Sequence, residues 1–317
     1  AWTHLSSGSN ITGFMTGNGL NPLNSMTLVN NGSTQQAVVY SIQATSVNGC
    51  LSPAVNYSIQ VNPRPIITIP TDQTVCSGVA SSLVSFTSDV AATTYAWQVI
   101  SNPPVSAALS GYPLTGNGTI NPLTLSNSSN ASQTVSYQVT PTAASCSGTS
   151  GVYTFTVNPS PSVIFSIPNQ AICSGSSTSV VDLTTPTPNA SISWTAVVPA
   201  GLNGFTTTSG NNQIPALTLT NTTSGILTAT ITATASTSGN SICPGGPVTY
   251  TIAVSPKPAL SVIVLDSTLC SGQALSASIS SPVTGTTFTW TATPTAGITV
   301  SSNGTGTGIN QTLTNSQ

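Results

Sequence analysis

Six cysteines are the side chains with the clearest chemistry in this chain, and their spacing repeats. Three of them begin a Cys-Ser-Gly triplet that recurs at intervals of 97 residues: Cys76, Cys173 and Cys270. The other three lie outside these triplets, at intervals of 96 and 97: Cys50, Cys146 and Cys243. Cys146 is also followed by Ser and Gly, but it lies outside the 97-residue spacing of the triplets. A metal site favours paired spacings such as Cys-x-x-Cys, which this sequence lacks. The regular spacing therefore predicts structural disulfides in an oxidising compartment.

Acid–base chemistry has few candidates. The chain has four acidic residues, all of them aspartates, and one histidine, His4, which has no acid near it in the sequence. Hydrolysis usually needs paired carboxylates, or a nucleophile beside a base. Asp72 and Asp266 each precede a triplet cysteine by four residues, and Asn169 takes that place before the middle triplet. Because Asp and Asn alternate there, we interpret the position as turn-forming rather than acidic. We predict no enzyme activity, no catalytic residue and no metal or other cofactor, calcium included, since one aspartate per junction supplies too little charge.

Charge is almost absent from this chain of 317 residues. Only 2% of the residues are charged, against roughly 25% in a typical soluble domain. Two basic residues cannot neutralise a phosphate backbone, so nucleic acid is excluded as a partner. No apolar run approaches the roughly 20 residues that a membrane-spanning helix needs, so we predict no membrane insertion. Because surfaces of low net charge resist association poorly, we also predict a homo-oligomer or bundle of filaments.

A period of about 97 residues organises the sequence. After each triplet comes a tryptophan, then a Gly/Asn-rich turn such as GNGTINPLTLSN, then a lone cysteine and a closing run such as VYTFTVNPSP. The four tryptophans are Trp2, Trp97, Trp194 and Trp290. We predict a partial domain at 1–63, whole domains at 64–159 and 160–256, and a partial domain at 257–317. This phasing predicts a segment of a longer tandem array.

Within each repeat the apolar residues alternate as they do in strands. Tyr153, Phe155 and Val157 alternate with threonines, and Tyr95 and Trp97 stand on one side of a similar run. Two-residue alternation indicates sheets with one apolar face and one polar face. About seven such strands in a domain of this length match an immunoglobulin-like sandwich of two sheets. The fold class predicted is therefore all-β, a tandem array of such sandwiches with the tryptophans as core aromatics.

At this point the motifs carry a family resemblance. Cys-Ser-Gly, FTWTATPTAGI, GTGINQTLTN and TYTIAVSPKP together resemble PKD-like (immunoglobulin-like) repeats of very large cell-surface and secreted proteins of Bacteroidota. The resemblance covers the whole chain, and the combination is specific although each motif alone is weak. It implies an extracellular or cell-surface location, export commonly by the type IX route, and roles as stalks, adhesins or filaments. It implies no shared catalytic residue.

The pairing of the cysteines has more than one solution. Within one repeat, Cys76 with Cys146 and Cys173 with Cys243 would each close a loop between cysteines 70 positions apart. In an immunoglobulin-like topology, however, the two turns involved lie at opposite ends of the sandwich. Pairing between repeats therefore stays open, as Cys76 with Cys243 or as Cys50 with Cys76. We favour the within-repeat pairing, in which the triplet serine caps its own turn and the glycine permits a positive φ.

Two non-catalytic functions fit these features. One is a structural extracellular fibre or adhesin stalk, whose function lies in reach and assembly. The other is an array that binds glycans, with the tryptophans as stacking platforms. All four tryptophans stand on the apolar side of their runs, so core filling and the fibre are favoured. The partners expected are further copies of the chain, and host, prey or surface glycans as targets of adhesion.

One modification site is suggested by a short motif. Asp266-Ser267-Thr268 resembles the O-glycosylation motif of exported Bacteroidota proteins. The resemblance predicts a sugar on Ser267.

Overall fold

A computed structural model of the chain describes residues 1–19, 24–100, 104–238, 242–265, 267–301 and 303–317. All regular elements in these ranges are strands, and none of the described residues forms a helix able to cross a membrane. The chain forms two compact units, Ala1–Ser160 with Thr237–Cys243, and Pro161–Ser236 with Pro244–Gln317. The predicted all-β fold is confirmed.

The strands are short and fall into four sets along the chain. In 1–63 they are β1 (Trp2–Ser7), β2 (Ile11–Thr12), β3 (Asn18–Gly19), β4 (Val29–Asn30), β5 (Gln36–Ile42) and β6 (Val55–Val61). In 64–159 they are β7 (Ile67–Thr68), β8 (Gln73–Cys76), β9 (Thr87–Ser88), β10 (Thr94–Val99), β11 (Leu109–Ser110), β12 (Thr115–Asn117), β13 (Ser126–Asn127), β14 (Gln133–Ala143), β15 (Cys146–Ser147) and β16 (Gly151–Asn158). In 160–256 they are β17 (Ile164–Phe165), β18 (Gln170–Cys173), β19 (Val181–Thr184), β20 (Ser191–Val197), β21 (Leu202–Asn203), β22 (Ser209–Asn211), β23 (Gln213–Ile214), β24 (Thr220–Asn221), β25 (Leu227–Ser236) and β26 (Val248–Ser255). In 257–317 they are β27 (Ser261–Val264), β28 (Ala274–Ser280), β29 (Thr289–Thr291), β30 (Ile298–Thr299), β31 (Asn303–Thr305), β32 (Gly308–Thr312) and β33 (Thr314–Asn315).

The repeat 64–159, called here the first whole repeat, is a β-sandwich. Its larger sheet has the order β12-β10-β14-β16-β8, and β15 pairs with β14. All of these pairs are antiparallel except the edge pair, in which β8 runs parallel to β16. The pairs β7–β9 and β11–β13 form the opposing layer. Side chains of both layers, such as Phe86 and Leu125 from one and Tyr137 and Phe155 from the other, meet in a single core.

The second whole repeat, 160–256, has the same arrangement. Its larger sheet has the order β18-β26-β25-β20-β22, with β18 parallel to β26. Opposite lie the three-stranded sheet β17-β19-β23 and the pair β21–β24. The partial repeats contain portions of the same pattern: β3-β1-β5-β6 with β2–β4 in the first, and β27-β28-β32 with β29–β31 and β30–β33 in the last.

Strand β16 shows why these sequences form sandwiches. Tyr153, Phe155 and Val157 are completely buried, while the threonines between them face the other side. Burial of each such side chain stabilises the fold by about 1.5–3 kcal/mol. The alternation predicted for this strand is therefore confirmed, and β26 repeats it with Tyr250, Ile252 and Val254.

Candidate functional site

The three Cys-Ser-Gly triplets that begin at Cys76, Cys173 and Cys270 form the same tight turn. In the first whole repeat the Cys76 carbonyl accepts a hydrogen bond from the Val79 N–H at 3.0 Å, and the equivalent bonds after Cys173 and Cys270 are also 3.0 Å long. The glycine at the third position has a positive φ of 80°, 89° or 86° in the three turns. A side chain at this φ would strain the backbone, so the turn requires glycine there. The predicted role of the glycine is confirmed.

The sequence predicts that the serine of the triplet caps its own turn, and this prediction is wrong. Ser77 Oγ instead accepts a hydrogen bond from the Asn127 N–H at 2.9 Å and donates to the Asn127 carbonyl oxygen at 3.3 Å. Ser174 and Ser271 make the same pair of bonds to distant asparagines, Asn221 and Asn315. The serine therefore ties the turn to the opposing layer of the sandwich, which sequence spacing alone could not reveal.

The asparagine that receives the serine is itself buried and fully engaged. The Asn127 side-chain amide donates to the carbonyl oxygens of Ala131 and Val157, at 2.8 and 2.9 Å. Its Oδ1 accepts from the Ser129 N–H at 2.9 Å. Asn30 and Asn221 make equivalent bonds in their own repeats. We did not single out this asparagine from the sequence, although its recurrence in TLSN and TLTN was a signal that it had a role.

The register of the sheet places the two kinds of cysteine at opposite ends of a repeat. Cys76 lies beside Asn158, at the carboxyl end of β16. Cys146 pairs with Ala143 in the hairpin that precedes β16, beyond the other end of that strand. The two levels are about 20 Å or more apart at roughly 3.3 Å per residue, whereas the Cα atoms of a disulfide lie within about 7 Å of each other. The within-repeat pairing of Cys76 with Cys146 is therefore wrong.

The disulfide that the structure contains joins Cys76 to Cys243, with their Cα atoms 5.4 Å apart. It links the triplet turn of the first whole repeat to the hairpin loop that follows β25. The other favoured pair, Cys173 with Cys243, is thereby also wrong, because Cys243 is already bonded. The remaining cysteines are free thiols: Cys50, Cys146, Cys173 and Cys270. Cys76 is thus bonded to a cysteine of the next repeat, which is one of the pairings that the sequence leaves open.

The tryptophans lie at matching places in the four repeats. Trp2, Trp97 and Trp194 are 8%, 8% and 2% exposed and belong to the core clusters of their repeats, whereas Trp290 is half-buried. Each faces a glycine on the neighbouring strand, in the pairs Trp2–Gly19, Trp97–Gly116, Trp194–Gly210 and Trp290–Gly304. A Cβ atom on any of these glycines would collide with the indole ring. The Gly-rich turn of the repeat thus makes room for the tryptophan.

The aspartates act as hydrogen-bond acceptors for the fold. Asp72 Oδ1 accepts from the Thr154 N–H at 2.9 Å, and Asn169 Oδ1 accepts from the Thr251 N–H at the same distance. The side chain at this position therefore holds the last strand of its repeat, β16 or β26, and does not form the local turn that the sequence predicts. Either residue serves because both present the same oxygen. Asp89 and Asp182 accept from the Ile66 N–H and from Gln213 Nε2, both at 2.7 Å.

Asp72 also influences a buried phenol. Burial first, and the nearby negative charge of Asp72 second, raise the pKa of Tyr153 to about 12. Burial likewise raises the pKa of Tyr137 and that of Tyr250. These phenols fill the core of the sandwich, so their shifted pKa values reflect packing.

The other predicted site residues lie apart from this turn. His4 packs its ring on Phe14, with ring centroids 4.9 Å apart. Ser267 is exposed, while Asp266 lies outside the described residues, so the sugar on Ser267 stays a prediction that the mass of a peptide spanning it checks. Over the described ranges, His, Cys, Asp and Glu side chains form no group of three that could hold a metal ion.

These observations define the class of protein as a tandem array of immunoglobulin-like β-sandwiches. The chain belongs to the PKD-like domain family, whose model matches residues 1–65, 73–161, 170–258 and 267–317. No curated protein matches the chain.

Several solved structures of tandem domains are similar to the chain. Titin domains I67–I69, in an E-to-A mutated variant, share 11% identity over 80% of this chain and 88% of that one, with a TM-score of 0.38. Extracellular domains 3–5 of Drosophila OTK share 14% identity over 70% and 71%, with a TM-score of 0.30. Human mucin-like protocadherin EC1-2 shares 13% identity over 61% and 99%, also with a TM-score of 0.30. The family assignment itself rests on the matched domain model.

Proposed function

We propose that this chain is a non-catalytic segment of a long extracellular fibre or adhesin stalk, and that it transmits tension. The observation that carries the proposal is the disulfide between Cys76 and Cys243, which connects two successive sandwiches. Disulfides persist in oxidising surroundings such as the cell exterior, and a covalent link between repeats serves a protein whose task is to transmit tension. The repeats supply length, and the resemblance to Bacteroidota surface proteins supports a surface location and the type IX export route.

The disulfide also determines the path that tension takes through the chain. Force applied at the two ends passes from Cys76 directly to Cys243, so the chain between them carries little of it. All of the strands from β9 to β25 lie within that protected loop, whereas β8 and β26 lie on its two flanks. Strand pairs inside the loop, such as β10 with β14 and β20 with β25, are thereby bypassed.

Self-association is the second part of this proposal. The surface carries almost no charge, since only 2% of the residues are charged. Faces of Ser, Thr and Asn can pack side by side without the cost of desolvating ions. Further copies of this chain are therefore the partner that the surface suits best. If the chain is part of an adhesin, its targets would be glycans of a host, of prey or of other surfaces. Binding of such glycans would need residues other than the three buried tryptophans.

Single-molecule stretching tests whether the chain transmits tension in this way. With the chain held at residues 1 and 317, the oxidised protein should reach a contour length about 550 Å shorter than the reduced protein, because the residues between the two cysteines stay locked. The variant Cys76→Ser is the matched control and should extend fully without a reductant. Equal lengths for the oxidised and reduced chains, or stretching without discrete unfolding steps, would contradict the proposal.

Sedimentation tests self-association. The sedimentation coefficient should rise with protein concentration, and by similar amounts in low and high salt, because few charges are available to screen. A chain that remains monomeric at high concentration in both buffers would contradict the proposed self-association. The free thiols should be alkylated beforehand, so that new disulfides do not imitate association.

A further inference from the structure

We propose that the disulfide between Cys76 and Cys243 is one instance of a bond that recurs at every junction of such an array. In each bond, the triplet cysteine of one repeat joins the hairpin cysteine of the next. Cys146 and Cys173 are then binding sites for adjoining repeats. Cys146 forms a disulfide with the cysteine of a Cys-Ser-Gly turn in one adjoining repeat, and Cys173 forms a disulfide with the hairpin cysteine of another. This inference concerns connectivity and does not depend on the proposed fibre.

The first support is that the triplet lies at the carboxyl end of both whole repeats. The Ser77 N–H donates to the Asn158 carbonyl at 2.9 Å, and the Ser174 N–H donates to the Ser255 carbonyl at the same distance. Cys173 is aligned with Ser255 just as Cys76 is aligned with Asn158. Cys173 is also exposed. The Cys173 thiol therefore has the same position in its repeat as the Cys76 sulfur that is bonded to Cys243.

The second support is that the cysteine hairpin lies at the amino end of both whole repeats. Gly148 packs against the Pro65 carbonyl oxygen so closely that a Cβ atom would collide with it, and Gly245 packs in the same way against the Pro161 carbonyl. Both prolines belong to the junction that opens the repeat. Each hairpin thus lies beside the segment that opens its own repeat.

The third support comes from the first junction. Asn62 stands before Pro63 as Asn158 stands before Pro159, and its Nδ2 donates to the Ala144 carbonyl oxygen at 3.3 Å. Ala144 belongs to the hairpin that holds Cys146. The hairpin therefore meets the end of β6, at the level where a triplet turn would lie if it followed the register of Cys76.

The outer edge of β6 has room for the strand that would carry that turn. In the whole repeats a parallel strand, β8 or β18, covers this edge of the last strand. Among the described residues, β6 pairs only with β5. Its Tyr57 is 54% exposed, whereas the equivalent Tyr153 and Tyr250 are buried. A strand that ends in Cys-Ser-Gly would fill this edge and bring its thiol to Cys146.

Formation of each bond is an oxidation that requires an acceptor of two electrons. One thiolate attacks a disulfide of an oxidising protein or small molecule, and the mixed disulfide that forms is attacked by the second thiolate. The product is the cystine, two protons have been released from the two thiols, and the oxidising disulfide has become two reduced sulfurs. The reduced sulfurs take up those protons according to their own pKa values.

The experiment supplies the missing half of each bond within the full chain. One variant carries a copy of residues 64–95 before Ala1, since Ala1 precedes Trp2 as Ala96 precedes Trp97. Another carries a copy of residues 224–256 after Gln317, since Asn315 occupies the place of Asn221. Each is oxidised in a glutathione buffer, and the disulfides are mapped from unreduced peptides. The matched controls carry Ser in place of the added cysteine.

In the first variant the added cysteine should be found bonded to Cys146, and in the second the added cysteine should be bonded to Cys173. Alkylation should count three free thiols in each variant, against four in the unextended chain and in the controls. The bond between Cys76 and Cys243 serves as an internal report of folding. If it forms while both added cysteines stay free, or if the first added cysteine bonds to Cys50, the proposal is overturned. A peptide joining Cys76 to Cys146 in the unextended chain overturns it as well.

Discussion

The side-chain amide of Asn127 donates a hydrogen bond to the Val157 carbonyl oxygen at 2.9 Å, and Asn221 makes the same bond to Val254 at 2.8 Å. Both asparagines are more than nine-tenths buried. Each therefore joins the opposing layer of its sandwich to the end of the last strand. The polar contact lies in the interior, where loss of one partner leaves the other unsatisfied.

Replacement of this amide should be costly. Asn127→Ala leaves the buried Val157 carbonyl oxygen without its partner, which costs about 1–3 kcal/mol. It also removes the less buried bonds to the Ala131 carbonyl and the Ser129 N–H, each worth about 0.5–1.5 kcal/mol. We expect the first whole repeat to lose about 2–4 kcal/mol of stability, measured by hydrogen exchange of peptides from β14 and β16. Asn130→Ala, at an exposed position three residues away, should change it by less than about 0.5 kcal/mol. Equal effects of the two variants would show that the amide has no structural role.

A second prediction concerns the glycine that faces the tryptophan. A Cβ atom on Gly210 would lie 2.8 Å from the Trp194 ring, whereas one on Gly225 would have no neighbour within 4 Å. Gly210→Ala should therefore destabilise the second whole repeat by about 1–3 kcal/mol through overpacking, and Gly225→Ala should not. Urea denaturation followed by tryptophan fluorescence measures both. A Gly210→Ala protein as stable as the parent would contradict the close packing.

A third prediction follows from the exchange of Asp72 for Asn169 between repeats. Because both oxygens accept from a backbone N–H of the last strand, Asp72→Asn should alter stability by less than about 0.5 kcal/mol at neutral pH. Asp72→Ala should cost about 0.5–1.5 kcal/mol, the net value of one hydrogen bond. The reciprocal variants Asn169→Asp and Asn169→Ala are the matched pair in the next repeat. If the Asn and Ala variants of Asp72 unfold alike, the side-chain oxygen is not the feature that matters.

Alkaline pH should destabilise the first whole repeat through Tyr153. Its pKa is about 12 in the folded chain, above the ordinary value of about 10 expected when unfolded. The neutral phenol therefore contributes stability that is complete below pH 10 and is lost as the pH rises towards 12. We expect the urea midpoint of the thiol-alkylated protein to fall over that range. The urea midpoint of Tyr153→Phe, whose side chain cannot ionise, should fall less steeply with pH. An identical slope for the two proteins would rule out this phenol as the cause.

Prediction from the sequence succeeded where a local pattern determines the outcome. The alternation through Tyr153, Phe155 and Val157 indicated one face of a buried strand, and the structure buries all three. It failed where the outcome depends on which ends of distant strands meet. The interval between Cys76 and Cys146 is the same in each repeat, but only the parallel pairing of β8 with β16 shows that these cysteines lie at opposite ends.

The same limit applies to the polar side chains. Asp72 bonds to a backbone group 82 residues away, and Ser77 to one 50 residues away. Sequence motifs assign such residues to the nearest turn, because that is the only contact that spacing can indicate. The buried Asn127 was missed for the same reason, since an asparagine in a run of Ser, Thr and Asn has nothing local to distinguish it.

The bond between Cys76 and Cys243 closes a covalent ring whose two cysteines are 167 positions apart in the sequence. A protease that cuts one peptide bond anywhere inside the ring opens it but does not divide the molecule, because the two pieces remain joined through sulfur. Two cuts inside the ring are needed to release a fragment, and even then the outer parts stay connected. A nick in either whole repeat between these cysteines therefore leaves the two termini of the chain on one molecule.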